Sequence, residues 1–161
     1  LLALETPGGK MSMVINGAKG AIKMPQGTMP LPEAQRKGIM ENIGRDLFFV
    51  WRNAEGYTFQ DLGARPFAGA EAQALLVSGS GLTFQLFLDP QTLLPRGTSY
   101  QTVTQEGPGT VEERLADYRD VGGIKMPFAS ESWVKDKKVS AQAAKAAEID
   151  PVVDEGLFKV E

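Results

Sequence analysis

Beyond Asn53 the chain alternates apolar and polar residues over short stretches that are separated by turn-forming pairs. A repeat of two residues is typical of a β-strand that buries one of its faces. The clearest stretch spans residues 82–88 and places its apolar side chains on one face: Leu82, Phe84, Leu86 and Leu88. The Gly-Ser-Gly sequence at 79–81 just ahead of it predicts a hairpin turn.

Segments of this kind follow one another at the spacing of an antiparallel meander. We predict strands at 57–62, 71–78, 82–88, 98–104, 110–118 and 128–134. Residues 140–148 have high helix propensity, but Val139, Ala141 and Ala143 alternate as in a strand. A hairpin through 135–138 would return this segment to 128–134, and we therefore predict a strand here too.

The N-terminal part is also strand-like, with short strands predicted at 1–5, 11–15 and 21–24 and turns at 7–9 and 17–20. Pro30 and Pro32 then stop the extended structure and open a helix at Glu33. Apolar residues then recur at helical spacing and form one stripe: Ile39, Ile43, Leu47, Val50 and Trp51. This stripe predicts a single helix that extends as far as Trp51. No linker divides residues 1–161, so we expect one α+β domain, mainly β, with one antiparallel sheet and one helix.

The composition excludes several classes of function. The chain has no Cys and no His, which removes Ser-His-Asp and Cys-His nucleophiles, Cys/His zinc sites and disulfides. Its 17 Lys and Arg against 20 Asp and Glu give a net charge of −3 without a basic patch, which argues against nucleic acid. The longest apolar run, 47–51, is far short of the ~20 residues that cross a bilayer, so we expect no membrane-spanning segment.

One short motif suggests catalysis. Ser132 and Lys135 match S-x-x-K, in which a helical Ser is activated by a Lys one turn later. Residues three apart in a strand point to opposite faces, so the predicted strand 128–134 does not support this chemistry. A hydrolase remains the third interpretation of the sequence, and we expect a protein that is not an enzyme.

The apolar side chains indicate a binding surface more strongly than the S-x-x-K motif indicates catalysis. Four of the six methionines fall in the first 29 residues, and methionine adapts well to irregular apolar surfaces and ligands. Phe48, Phe49 and Trp51 lie at successive positions around the predicted helix, so a single packed face does not hide all three. Either the helix is wedged into a concavity or it exposes an apolar patch.

Three motifs in the C-terminal half carry a family resemblance. They are D-x-x-T-x-L-P at 89–95, Y-x-x-V-x-G-x-x-x-P at 118–127 and D-x-x-L-F at 154–158. Together with the strand-turn-strand sequences around 6–10 and 16–20, they resemble the outer-membrane lipoprotein carrier (LolA-like) superfamily. The version seen here is similar to the uncharacterised domains found alone or fused to envelope zinc peptidases. Compared with that family, we expect it to lack N-terminal elements, a helix and one or more strands.

The resemblance implies a strongly curved antiparallel sheet, an unclosed barrel, with a helix packed across its concave face. It also implies a periplasmic or otherwise exported protein of the cell envelope, without cofactor or metal. We expect a lipid, acyl chain or other hydrophobic ligand between sheet and helix, bound by Met11, Met13, Ile15, Ile43, Leu47, Trp51, Phe84, Leu86 and Trp133. The alternative is an accessory interaction module with a packed interior that acts through a partner such as an envelope peptidase.

Overall fold

A computed structural model describes residues 2–6, 9–104 and 107–160, with side chains from residue 11 onward. The fold is α+β and mainly β, as predicted, with two open antiparallel sheets and two helices. The contacts divide the chain into two compact units. One holds Leu1–Asp46 with Asp150–Glu161, and the other holds Leu47–Ile149. The predicted turn residues Pro7 and Gly8 lie outside the described part of the chain.

The first unit contains a four-stranded sheet in chain order. Its strands are β1 (Leu2–Thr6), β2 (Gly9–Asn16), β3 (Lys19–Met24) and β4 (Gly27–Pro30), followed by helix α1 (Glu33–Arg45). The C-terminal segment returns to this unit as a 3-10 turn, Glu155–Phe158. The Asp154 side chain, just before the turn, accepts a hydrogen bond from the Gly156 backbone N–H. The Asn16 side-chain amide donates to the Phe158 carbonyl, which ties β2 to this turn.

The second unit begins with helix α2 (Leu47–Arg52) and continues as a seven-stranded meander. Its strands are β5 (Tyr57–Phe67), β6 (Ala70–Gly79), β7 (Leu82–Leu88), β8 (Pro95–Thr104), β9 (Gly107–Val121), β10 (Ile124–Val134) and β11 (Lys137–Ala143). Each strand pairs with its neighbours in the chain, so β5 and β11 form the two edges. The predicted hairpin turn between β6 and β7 is confirmed: Ser80 and Gly81 both have positive φ, as the tightest two-residue hairpin turn requires.

Both faces of the seven-stranded sheet bury apolar side chains. On one face, Leu47 and Val50 of α2 join a cluster completed by Tyr57, Val77, Phe84, Leu86, Tyr100 and Val111. On the other face, the rings of Phe67 and Phe87 stack with centroids 4.2 Å apart, beside Ala72 and Ala74. Gly97 lies directly opposite Phe87, and its missing side chain is what lets the Phe67 ring approach the strand.

The structure corrects the sequence-based prediction in four places. The strands form two sheets rather than one, because the N-terminal strands pair only among themselves in the described chain. The predicted helix is two helices, because Asp46 has an extended backbone (ψ 128°). Strand β4 was not predicted, and Pro30 is accommodated because it ends an edge strand. The last strand ends at Ala143 instead of continuing to residue 148. None of the described helices has the length and apolar character that crossing a bilayer demands.

Candidate functional site

A methionine-rich face lies on the four-stranded sheet. Met13 is directly opposite Ile22, which is directly opposite Met29, so these three side chains share one face. Alternation along the strands adds more apolar residues to this face, which we call the methionine face: Met11, Met13, Ile15, Ile22, Met24 and Met29. Every member keeps part of its surface accessible, and Met29 is 49% exposed. Three predicted ligand-binding residues, Met11, Met13 and Ile15, are therefore brought together.

The opposite face of this sheet is different in character. Val14 and Ala21 are paired across β2 and β3 and are almost completely buried. Alternation therefore places Val14 and Ala21 on one face and the flexible thioethers on the other, where buried Leu31 packs against Gly20. An apolar face that retains accessible surface is the property expected of a ligand-binding or docking surface.

Three of the predicted ligand-binding residues lie in the core of the seven-stranded unit. Leu47, Phe84 and Leu86 belong to one cluster, and the two strand residues are each 2% exposed. They bring helix α2 and strand β7 into contact. Their side chains form a packed interior with Val77 and Tyr100, where they stabilise the fold by burying apolar area.

Trp133 lies on the other face of the same sheet. The register places Leu86 opposite Thr98, Thr98 opposite Glu113 and Glu113 opposite Ser132, so Trp133, the next residue in β10, points to the opposite side. The structure therefore does not bring Trp133 together with Phe84 and Leu86.

Charged side chains surround the Trp133 ring. The Arg114 guanidinium lies 4.1 Å from the ring centroid, and the indole N–H donates to Glu131 at 2.9 Å. The Lys138 ammonium, which donates to the other oxygen of Glu131, and the Trp133 indole both lower the pKa of that carboxyl. Trp133 is thus held in a cross-strand network of charges on a half-exposed sheet face.

The remaining predicted residues lie on the two helices. Ile43 is on α1 and is 38% exposed, while Trp51 is on α2 and is 47% exposed. Helix α2 buries Leu47 and Val50 and leaves Phe48, Phe49 and Trp51 partly exposed, as the sequence predicts for three aromatics at successive positions. The Phe48 and Trp51 rings meet edge to face at 6.0 Å. Helix α2 therefore presents an aromatic patch to its surroundings.

Side-chain hydrogen bonds hold the turn motifs at 89–95 and 118–127. Asp89 accepts hydrogen bonds from the backbone N–H groups of Thr92 and Gln91 and from the Arg96 guanidinium. These bonds, with the backbone donors contributing most, lower the pKa of Asp89 to about 2. Tyr118 donates to the Pro95 carbonyl at 2.6 Å, and burial raises its pKa to about 12. These residues fix the β7–β8 turn and the β8–β9 pairing.

The S-x-x-K pair does not adopt the helical geometry its chemistry needs. Ser132 is within strand β10, opposite Glu113 on one side and Ser140 on the other. Lys135 is in the following turn with a φ of 55°. Tyr100, on the same sheet face, donates to Glu113 at 3.0 Å. The neighbours of Ser132 across the strands are thus a carboxylate and a second hydroxyl.

An open groove of about 930 Å³ lies where the β8–β9 and β10–β11 hairpins run side by side. It is lined by Thr102, Val103, Thr104, Val111, Val134, Lys135, Asp136, Lys137, Lys138 and Val139. None of these was predicted as a binding residue, because the groove depends on the pairing of four strands. Two smaller open depressions lie at 64–71 and at 51–56, and the second includes Trp51.

Within the described chain, acidic residues do not gather into a group of three that could hold a metal ion. Comparison with protein-family models, with curated proteins and with solved structures finds no match for this sequence. The geometry and the sequence are therefore the grounds on which a function is assigned.

Proposed function

We propose that this protein is a non-enzymatic binding or carrier domain that holds a lipid, an acyl chain or another hydrophobic ligand. The observation that carries the proposal is the methionine face, which collects four of the chain's six methionines on one side of a four-stranded sheet. Thioether side chains change rotamer at low cost and are polarisable, which suits them to a flexible apolar ligand of variable shape.

Burial supports this assignment. A well-packed β-sheet protein covers its apolar faces, as Phe84 and Leu86 are covered in the larger unit. The methionine face keeps Met29 half exposed while Val14, on the reverse side of the same sheet, is fully buried. The free energy of removing that apolar area from water, roughly 25 cal/mol per Å², is available to a ligand.

A mainly β fold with open antiparallel sheets and helices supports an inference from the family resemblance. We infer that the seven-stranded sheet is the curved, unclosed sheet of a LolA-like domain and that α2 packs across its concave face. The cluster of Leu47 and Val50 with Phe84 and Leu86 supports this inference. A location in the cell envelope follows from the same resemblance and is part of the proposal.

A fluorescence titration with the uncharged apolar probe N-phenyl-1-naphthylamine tests the proposal. We expect saturable binding that weakens about tenfold in Met13→Gln/Met29→Gln, because each change places an amide in the apolar face. The matched control is Met40→Gln/Met126→Gln, since Met40 is 41% exposed but lies on α1. Equal effects of the two double variants, or no saturable binding by folded protein, would contradict the proposal.

The alternative, an interaction module with a packed interior, is favoured by one specific observation. Strand β11 (Lys137–Ala143) forms an edge of the seven-stranded sheet, and all of its residues are exposed. An exposed edge is a template for strand addition by a partner. Replacing Ala141 by Pro would block such pairing, so loss of partner capture with unchanged probe binding would favour this function.

A further inference from the structure

The four methionines of the methionine face are neighbours of one another, with Met24 at their centre. Met24 ends strand β3, which lies between β2 and β4. Continued by one residue, the β2–β3 register places Met24 opposite Met11. Met13 and Met29 both pair with the residue two positions before Met24, so they are its diagonal neighbours. Three thioethers therefore surround the thioether of Met24.

These positions are close enough for several sulfur atoms to meet. Directly opposite side chains in an antiparallel sheet have Cβ atoms about 5 Å apart, and diagonal neighbours are about 7 Å apart. Methionine places its sulfur two bonds beyond Cβ on a flexible chain, so the sulfur atoms of neighbouring methionines can converge on one point. All four side chains keep part of their surface exposed. A Cβ added at Gly27, which pairs with Met24, would meet none of the described atoms within 4 Å, so there is open space here.

The chemistry of these donors selects a particular kind of ion. Thioether sulfur is a soft, neutral donor of the kind that selects Cu(I), whereas Mg²⁺ and Ca²⁺ require oxygen ligands. Neutral donors also suit an ion of single charge, because taking a divalent ion out of water costs far more.

The sequence offers such an ion few other ligands. It contains no Cys and no His, so the six methionine sulfurs are its only soft donors. Two of them are on other elements, Met40 on α1 and Met126 on β10. The methionine face is therefore where the described chain brings several soft donors together.

We propose that the methionine face binds one Cu(I) ion through three or four thioethers, with Met24 as the central ligand. This site goes beyond the proposed function, because it depends on the sulfur atoms of the face and not on its apolar area. It also goes beyond the family resemblance, which implies no metal.

Calorimetric titration with tetrakis(acetonitrile)copper(I) under nitrogen tests this site, with one ion per chain as the expected stoichiometry. Met24→Leu keeps an apolar side chain of similar volume and removes the central sulfur. Its affinity for Cu(I) should fall at least about tenfold, since even residues that only support a metal ligand contribute about 10–100-fold. The matched control, Met126→Leu, removes a thioether from β10 and should leave the affinity unchanged. If Met24→Leu does not fold, Met11→Leu/Met13→Leu removes two of the donors from β2 instead.

Two further measurements identify the ligands. X-ray absorption at the copper edge should show sulfur alone in the first coordination shell, and a shell of oxygen or nitrogen would overturn the site. Zinc chloride should give no comparable binding, because Zn²⁺ is bound in proteins by thiolate, imidazole and carboxylate groups. Zinc binding that is lost in Met24→Leu would likewise overturn the site.

Binding of N-phenyl-1-naphthylamine by the same variants separates this site from the proposed function. Met24→Leu should bind the probe as the wild type does, because leucine preserves the apolar face. Cu(I) binding by a protein that does not bind the probe would overturn the proposed function and leave the copper site standing. Probe binding without Cu(I) binding, or equal Cu(I) affinities of Met24→Leu and Met126→Leu, would overturn the copper site alone.

Discussion

Gly97 is the position at which a single methyl group should be most damaging. A Cβ atom there would overlap the carbonyl oxygen of Glu113 in the paired strand and lie 2.8 Å from the Phe67 ring. A backbone carbonyl does not move without breaking the β8–β9 ladder. Loss of about two ladder hydrogen bonds, near 1 kcal/mol each, costs about 2 kcal/mol. Disturbing the Phe67 and Phe87 stack adds about 1 kcal/mol.

We therefore expect Gly97→Ala to lower the free energy of unfolding by about 3 kcal/mol. Urea denaturation followed by circular dichroism measures this change, provided that the slope of the transition is the same as in the wild type. The control is Gly56→Ala in the same unit, where the added Cβ meets no atom within 4 Å. That variant should stay within about 0.5 kcal/mol of the wild type. A loss below 1 kcal/mol for Gly97→Ala would refute the close strand packing described here.

Three further outcomes follow from particular side chains. Phe84→Ala should cost about 3–5 kcal/mol of unfolding free energy in the same assay, because the ring is 2% exposed within the core; a loss below 1 kcal/mol would contradict a packed interior. The pKa of Asp89 is lowered to about 2 from 3.8, so its contribution is present above pH 4 and is lost as the pH falls toward 2; Asp89→Asn should flatten the acid limb of the stability profile. Burial raises the pKa of Tyr118 to about 12 from 10, so stability should fall as the pH rises from 10 to 12. The ultraviolet difference spectrum between wild type and Tyr118→Phe should titrate near pH 12, and titration near pH 10 would show that the phenol is not buried.

The strands of the larger unit were predictable because their sequence is locally consistent. In β7 the alternation of residues 82–88 and the Gly-rich turn before it lead to the same strand, with the bounds observed. The break at Asp46 was not predictable in the same way, because the apolar stripe runs through it from Ile43 to Leu47. Strand β4 was missed because proline normally ends extended structure. At the edge of the sheet, however, Pro30 does not have to donate a backbone N–H to a neighbouring strand.

The residues of a candidate surface could be predicted only where alternation within one strand is enough to place them on the same face. Met11, Met13 and Ile15 share a face by alternation alone, but Met24 and Met29 join them only through cross-strand pairing. The side to which Trp133 points depends on the register of β8, β9 and β10, which no local pattern determines. The groove has the same origin, since its lining comes from four strands.

The methionines themselves allow the most direct test of the methionine face. In protein labelled with ¹³C at the methionine methyl groups, each of the six methionines gives one signal, assigned by single Met→Leu variants. On titration with N-phenyl-1-naphthylamine, the signals of Met11, Met13, Met24 and Met29 should shift saturably with one common affinity. Met126, on β10, should not move. Saturable probe binding without a shift of those four signals, or equal shifts of all six, would contradict the account.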